Sequence, residues 1–209
     1  MTDAALLPLL LCSERALTDE LEAAKAAARD AAAAFAAKRA ERYAAFMAAF
    51  NHIAAAVDPI YKALTRAPEH PVGGSAYLST ENAEEPFLHG VKFHAMPPTK
   101  RFRDMEALSG GEKTVAALAL LFAVHSFRPS PFFVLDEVDA ALDKVNVGRV
   151  ASFVALAAAG GAPGVRPFQS LVISLKDGFY DKADALVGVY RDAQAGGSRT
   201  LTLDLAAYA

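Results

Sequence analysis

Residues 108–143 read LSGGEKTVAALALLFAVHSFRPSPFFVLDEVDAALD, and the order of devices in this stretch decides the fold. Ser109 precedes an apolar helical run and Glu112 lies three residues on, which is the spacing of a capping box. Gly110 and Gly111 leave the start of that helix bare of side chains. Free N–H groups, a hydroxyl and the positive end of a helix dipole make such a corner a site for an anion, most often phosphate. The same S-x-x-E pattern also opens ordinary helices. Residues 131–135 form an unbroken apolar run too short for a helix, which predicts a buried strand of a covered, parallel sheet. Asp136 and Glu137 fall where that strand ends, at the carboxyl edge where open α/β sheets bind ligands. An aspartate there can hold magnesium, and a glutamate one residue later can orient or deprotonate water. A strand running into an acidic surface turn fits the pair as well. Asp143, at the end of Ala140-Ala141-Leu142-Asp143, is in place to cap the next helix with or without a ligand.

In this order the three devices resemble a known family. Residues 108–114 are similar to the signature motif of ABC-type ATPases, in a form with Glu112 where many transporters have glutamine. Residues 132–137 resemble the Walker-B strand, and residues 140–143 resemble the D-loop. The wording LSGGEKTVAALALLFA followed by PFFVLDEVDAALD is similar to the C-terminal half of the ATPase head of structural-maintenance-of-chromosomes (SMC) proteins, most of all the cohesin subunit-one branch, over residues 35–209.

The resemblance implies an α/β fold: the C-terminal lobe of an ABC-type, P-loop-NTPase-like head, with a mostly parallel sheet, flanking helices and a long N-terminal coiled-coil helix. It implies ATP and Mg2+ as cofactors. Ser109, Gly110 and Gly111, with Glu112 beside them, would meet the γ-phosphate of ATP held by a partner head. Asp136 would serve the magnesium ion, Glu137 would be the catalytic base, and Asp143 would approach the interface between heads. The partners implied are the N-terminal half of the head, a second SMC subunit, a kleisin subunit and chromosomal DNA, with no membrane. The setting implied is the nucleus and the chromosome, in sister chromatid cohesion and chromosome organisation.

Two features qualify that reading. Leu175, within Val172-Ile173-Ser174-Leu175-Lys176, stands where the wider ABC pattern has a switch histidine; the resembled subfamily shares the departure. No G-x-x-x-x-G-K-[ST] loop occurs; since the resembled family carries it in the N-terminal half of the head, the resemblance implies a C-terminal fragment or a truncated gene product, able to build half of an active site and not to turn over ATP alone. A transporter nucleotide-binding subunit would share the ABC motifs, but Glu112, the missing histidine and the helical N-terminal approach disfavour it. A scaffold that docks kleisin without catalysis is the other alternative.

The rest of the chain supports this centre. Its 209 residues bound it to one or two domains, and a net charge of −3 excludes a chain-wide nucleic-acid footprint. One cysteine, Cys12, excludes an internal disulfide, and five histidines, His89 and His94 among them, form no metal spacing. The apolar run at residues 6–11 is too short to span a bilayer and lacks a basic leader. Residues 1–64 are expected to be a helical neck and residues 65–209 the lobe. Leu17, Leu21, Ala24, Ala28, Ala31 and Phe35 form one 3-4 seam, and Tyr43, Phe46, Phe50, Ile53, Val57, Ile60 and Leu64 form a second after a phase shift; the spacing suits a coiled coil, which the resemblance implies, or a single amphipathic helix packed on a globular domain. Asp58-Pro59 is expected to cap or kink this helix. Lys38, Arg39 and Arg42 read as a solvated face or a contact with DNA or a partner.

Residues 76–78 and 91–94 predict an antiparallel pair, and Lys100, Arg101 and Arg103 a basic knot, either plain surface charge or support for the phosphate side. After Asp143 the expectation is a helix at 145–158, a buried strand at 168–175, a helix at 176–183 and closing strands at 186–190 and 200–205 around Gly196-Gly197. Leu201, Leu203, Leu205 and Tyr208 are candidates for kleisin contact or for core.

Overall fold

The computed structural model describes residues 3–98, 100, 103–194, 196–205 and 207, with the backbone alone for residues 3–11, 103 and 104. Arg101, Tyr208 and the side chains of Arg103 and of the 6–11 run lie outside the described residues.

Helix α1 (Asp3–Thr65) runs without a break for 63 residues, as its abundance of Ala, Lys, Arg and Glu favours. Its two seams have different fates. Leu17, Leu21 and Phe35 of the first are exposed, whereas Val57, Ile60 and Leu64 of the second are buried, with Tyr61, in the main core. Of the two expectations for Asp58-Pro59, the cap and restart is corrected: the helix neither ends nor begins again there. Asp58 binds across the chain instead, accepting from Ser75 Oγ at 3.0 Å, Ala76 N–H at 3.1 Å and Lys62 Nζ at 2.5 Å. It thereby fastens α1 to β1 (Ser75–Thr80). The neck's basic positions are also engaged. Arg39 pairs with Glu85 at 2.8 Å, the Arg42 guanidinium lies 4.9 Å from the Phe87 ring centre, and Lys38 pairs with Glu41.

Strand β1 pairs antiparallel with β2 (Val91–Met96), and the short β3 (Arg103–Asp104) adds to β2. Helix α2 (Gly110–Phe127) packs against α1, with His52 Nε2 3.0 Å from Ser126 Oγ. Strand β4 (Phe132–Asp136) pairs in parallel with β5 (Gln169–Ile173), and α3 (Lys144–Ala158) connects them. Phe122 of α2 sits in an aromatic cluster with Phe133, Phe153 and Phe168. Burying a phenylalanine of this kind contributes about 1.5–3 kcal/mol. His125 joins the cluster as a neutral ring: Nδ1 accepts from Ser130 N–H at 3.1 Å, which leaves Nε2 to donate to Arg166 C=O at 3.3 Å.

Three expectations are corrected. The sheet is not mostly parallel: β4–β5 is the one parallel pair among the described strands, beside the antiparallel β1–β2–β3 and an antiparallel hairpin of β6 (Ala185–Asp192) and β7 (Gly197–Asp204). The helix expected at 176–183 shortens to α4 (Asp177–Tyr180), and β6, which follows it, pairs with β7 and with no other described strand. A turn ending at Gly196, with φ +67°, folds β7 straight back on β6. Nor are β4 and β5 covered on both faces. Phe133 and Leu135 face the core, while Phe132, Val134, Leu171 and Ile173 on the opposite face are exposed.

Candidate functional site

The Ser109-Gly110-Gly111 corner is assembled by local hydrogen bonds. Ser109 N-caps α2: Glu112 N–H donates to Ser109 Oγ at 3.4 Å and Ser109 N–H donates to Glu112 Oε2 at 2.8 Å, completing the capping box. Lys100 then reaches Glu112 at 2.8 Å, so this part of the basic knot acts by direct contact. Burial pushes the Glu112 carboxyl up, but donors from Lys100 and Ser109 outweigh that and hold it below the usual glutamate range. The nearby Tyr61 hydroxyl is driven the other way, to about 12, by its own burial and then by the Glu112 charge. Ser109 and Gly110 remain exposed.

This corner sits on the acidic turn of the same chain. A Cβ on Gly111 would lie 2.9 Å from the Ala141 carbonyl oxygen, so only glycine permits the approach. The turn closes through Ala140 N–H to Glu137 C=O at 3.1 Å and Leu142 N–H to Asp139 C=O at 2.9 Å. Asp143 then caps α3, accepting from Asn146 N–H at 2.9 Å and Asn146 Nδ2 at 2.8 Å. The Asn146 N–H is the chief reason its carboxyl is held below the usual aspartate range. Arg149 steadies Asn146 in turn, at 3.2 Å.

Asp136 and Glu137 occupy the carboxyl end of β4, as the sequence predicts, and both are exposed. Glu137 has φ +47°, the one non-glycine residue with positive φ among the described residues. A left-handed backbone at a glutamate costs on the order of 1–3 kcal/mol, and such strain concentrates at functional positions. The Glu137 N–H donating to Ile173 C=O at 2.9 Å helps to hold it there. Among the described residues neither acidic side chain makes a hydrogen bond or an ion pair. The predicted residues thus fall into two groups: Ser109 to Glu112 joined to the acidic turn, and a free acid pair at the strand edge.

Sequence reasoning missed the residues that hold the turn. Asp139, only 3% exposed, accepts from Ser174 Oγ at 2.7 Å. Lys176 Nζ donates to the carbonyls of Asp139 at 2.5 Å and Leu142 at 2.7 Å. A third carboxylate between Glu137 and Asp143, and a Ser-x-Lys just past a strand, were the available signals. Farther off, Leu201 and Leu203 are exposed on β7 and Leu205 is half-buried.

Comparison with known proteins places this geometry in a family. Residues 14–197 match the model described as RecF/RecN/SMC N terminal domain. Structural maintenance of chromosomes protein 1 of Arabidopsis thaliana is 62% identical over 174 residues, covering 80% of this chain and 14% of that protein. The Schizosaccharomyces pombe protein of the same name is 55% identical over 192 residues, covering 92% of this chain and 15% of its own length. The chain therefore spans 14–15% of these curated relatives. Among solved structures, the Smc head domain with an extended coiled coil bound to the C-terminal domain of ScpA, from Pyrococcus furiosus, has a TM-score of 0.67 and 37% identity, covering 81% of this chain and 39% of that one. A chain solved in work on ATP-driven dimerization and DNA stimulated activation of SMC ATPases has a TM-score of 0.64 and 36% identity, covering 78% of this chain and 89% of that one. On the family match over residues 14–197 and these identities, the chain belongs to the structural-maintenance-of-chromosomes family.

Proposed function

We propose that this chain supplies the C-terminal lobe of a cohesin-type SMC ATPase head, contributing half of a composite ATP site in the nucleus, on chromosomes. The observation that carries the reading is the Ser109-Gly110-Gly111 corner, exposed at Ser109 and Gly110 and seated through Gly111 on Ala141. The Ser109 hydroxyl accepts from Glu112 N–H, which leaves its proton to donate to a phosphate oxygen. The N–H groups of Gly110 and Gly111, in the first turn of α2, have no partner within the helix. Together they would bind the γ-phosphate of ATP on a second SMC head.

Asp136 would hold Mg2+ on this head's own nucleotide. Magnesium is commonly held by one or two carboxylates plus substrate phosphates, and a single exposed carboxylate with no partner among the described residues fits that donor set. When bound, the ion would offset phosphate charge. Glu137 would orient and deprotonate the attacking water, its strained backbone fixing where the carboxylate points. Asp143, ionised and held on the α3 cap, would face the partner head. The open apolar face of Phe132, Val134, Leu171 and Ile173 suits burial by an N-terminal half-head. Hydrolysis would then separate the heads and reset a ring holding chromosomal DNA.

A second reading, a non-catalytic scaffold docking kleisin, is favoured by the β6–β7 hairpin, whose Val187, Val189, Leu201 and Leu203 are exposed. The two are separated by mixing this chain with a separately made N-terminal half-head and the partner head. ATP-dependent head association with ATP turnover supports the enzyme; kleisin binding without either supports the scaffold.

A further inference from the structure

At the exit of β5, the residue where the ABC pattern would have its switch histidine points into solvent: Leu175 is 89% exposed. The polar work is done by the residues on either side of it. Ser174 Oγ donates to Asp139 Oδ2 at 2.7 Å and accepts from Lys176 N–H at 3.0 Å. Tyr180 Oη donates to Ser174 C=O at 2.7 Å, fastening the segment to α4. Lys176 Nζ spans the acidic turn from beginning to end, donating to the carbonyls of Asp139 and Leu142. Between those carbonyls lies Ala141, whose own oxygen faces Gly111, and immediately after them comes Asp143.

We infer that Lys176 is a positioning residue for the composite nucleotide site, an ammonium bolt that fixes the acidic turn and, through it, both the signature corner and the Asp143 cap. The inference rests on the proposed ATPase reading. An ammonium is suited to the task because its three donors can serve two carbonyls at once while its charge strengthens both bonds. Ser174 and Asp139 fix the backbone from which that side chain departs. The bolt touches neither corner nor acid pair, so its loss would displace groups rather than remove them.

The test uses this chain with the N-terminal half-head and partner head, comparing Lys176→Met, Lys176→Arg and Glu137→Gln. Lys176→Met should lower kcat about ten- to a hundredfold, with KM for ATP within about twofold and the Tm of this chain nearly unchanged. Amide exchange at residues 139–143 should rise in Lys176→Met, while Lys176→Arg restores both turnover and protection. A full-speed Lys176→Met enzyme beside a slow Glu137→Gln enzyme would overturn the positioning role alone, as would parallel loss of Tm and ATP affinity in both lysine variants. No turnover in the parent mixture, or an undiminished Glu137→Gln enzyme, would instead overturn the ATPase reading on which the role depends.

Discussion

The Ser109-Gly110-Gly111 corner with its acidic turn and the strand-end acid pair lie in one short stretch of chain, yet they are built in opposite ways. Around the corner, Glu112 is bonded to Ser109 and Lys100, Asp143 to Asn146, and Asp139 to Ser174. Each of these carboxylates is consumed in holding backbone in place. At the strand edge, Asp136 and Glu137 are exposed and, among the described residues, unpartnered, and Glu137 is held in a strained backbone conformation. The difference separates carboxylates that make the fold from carboxylates the fold leaves available, and it is in the second group that chemistry is to be sought.

That contrast can be broken in three places besides the lysine bolt. The largest effect on stability is expected at Gly111, where even a methyl group would meet the Ala141 oxygen at 2.9 Å. Gly111→Ala should cost about 1–3 kcal/mol, read by urea unfolding; wild-type stability would mean that corner and turn are not in contact. Replacing Glu137 by glycine should act in the opposite direction, stabilising the chain by about 1 kcal/mol as the left-handed strain is relieved. A loss of stability there would show that the glutamate side chain has a structural partner.

The smallest effect concerns pH. The Glu112 carboxyl has a folded-state pKa below its ordinary value of 4.5, so the unfolded chain binds the proton more tightly. The stability this contributes is therefore present above pH 4.5 and is lost as pH falls through the depressed folded value. Glu112→Gln should remove part of that acid sensitivity and cost about 0.5–1 kcal/mol at neutral pH, measured by Tm against pH. An unchanged acid limb would show that Lys100 and Ser109 do not stabilise the charged form.

What was legible in the sequence was local. The Ser109–Glu112 box, the short apolar strand ending in acids and the Asp143 cap each depend on residues within a few positions of one another, and all three are in the structure. What was not legible depends on chain-distant partners. Asp58 reads as a helix cap beside proline, but its partners Ser75 and Ala76 lie on a strand no helical pattern announces. An apolar run cannot say whether one face or both will be covered, so Phe132 and Val134 were expected inside and are outside. Strand and helix in alternation suggested a parallel sheet, but β6 pairs with β7, which folds back on it after Gly196, in a hairpin. Lys176 looked like the start of a helix; its role depends on Asp139 and Leu142 being folded beneath it.

The most direct measurement is single-turnover ATP hydrolysis by the reconstituted heads carrying Glu137→Gln. The account predicts that ATP still drives the heads together while hydrolysis falls by about 10²- to 10⁴-fold; engagement followed by hydrolysis at the parent rate would contradict it.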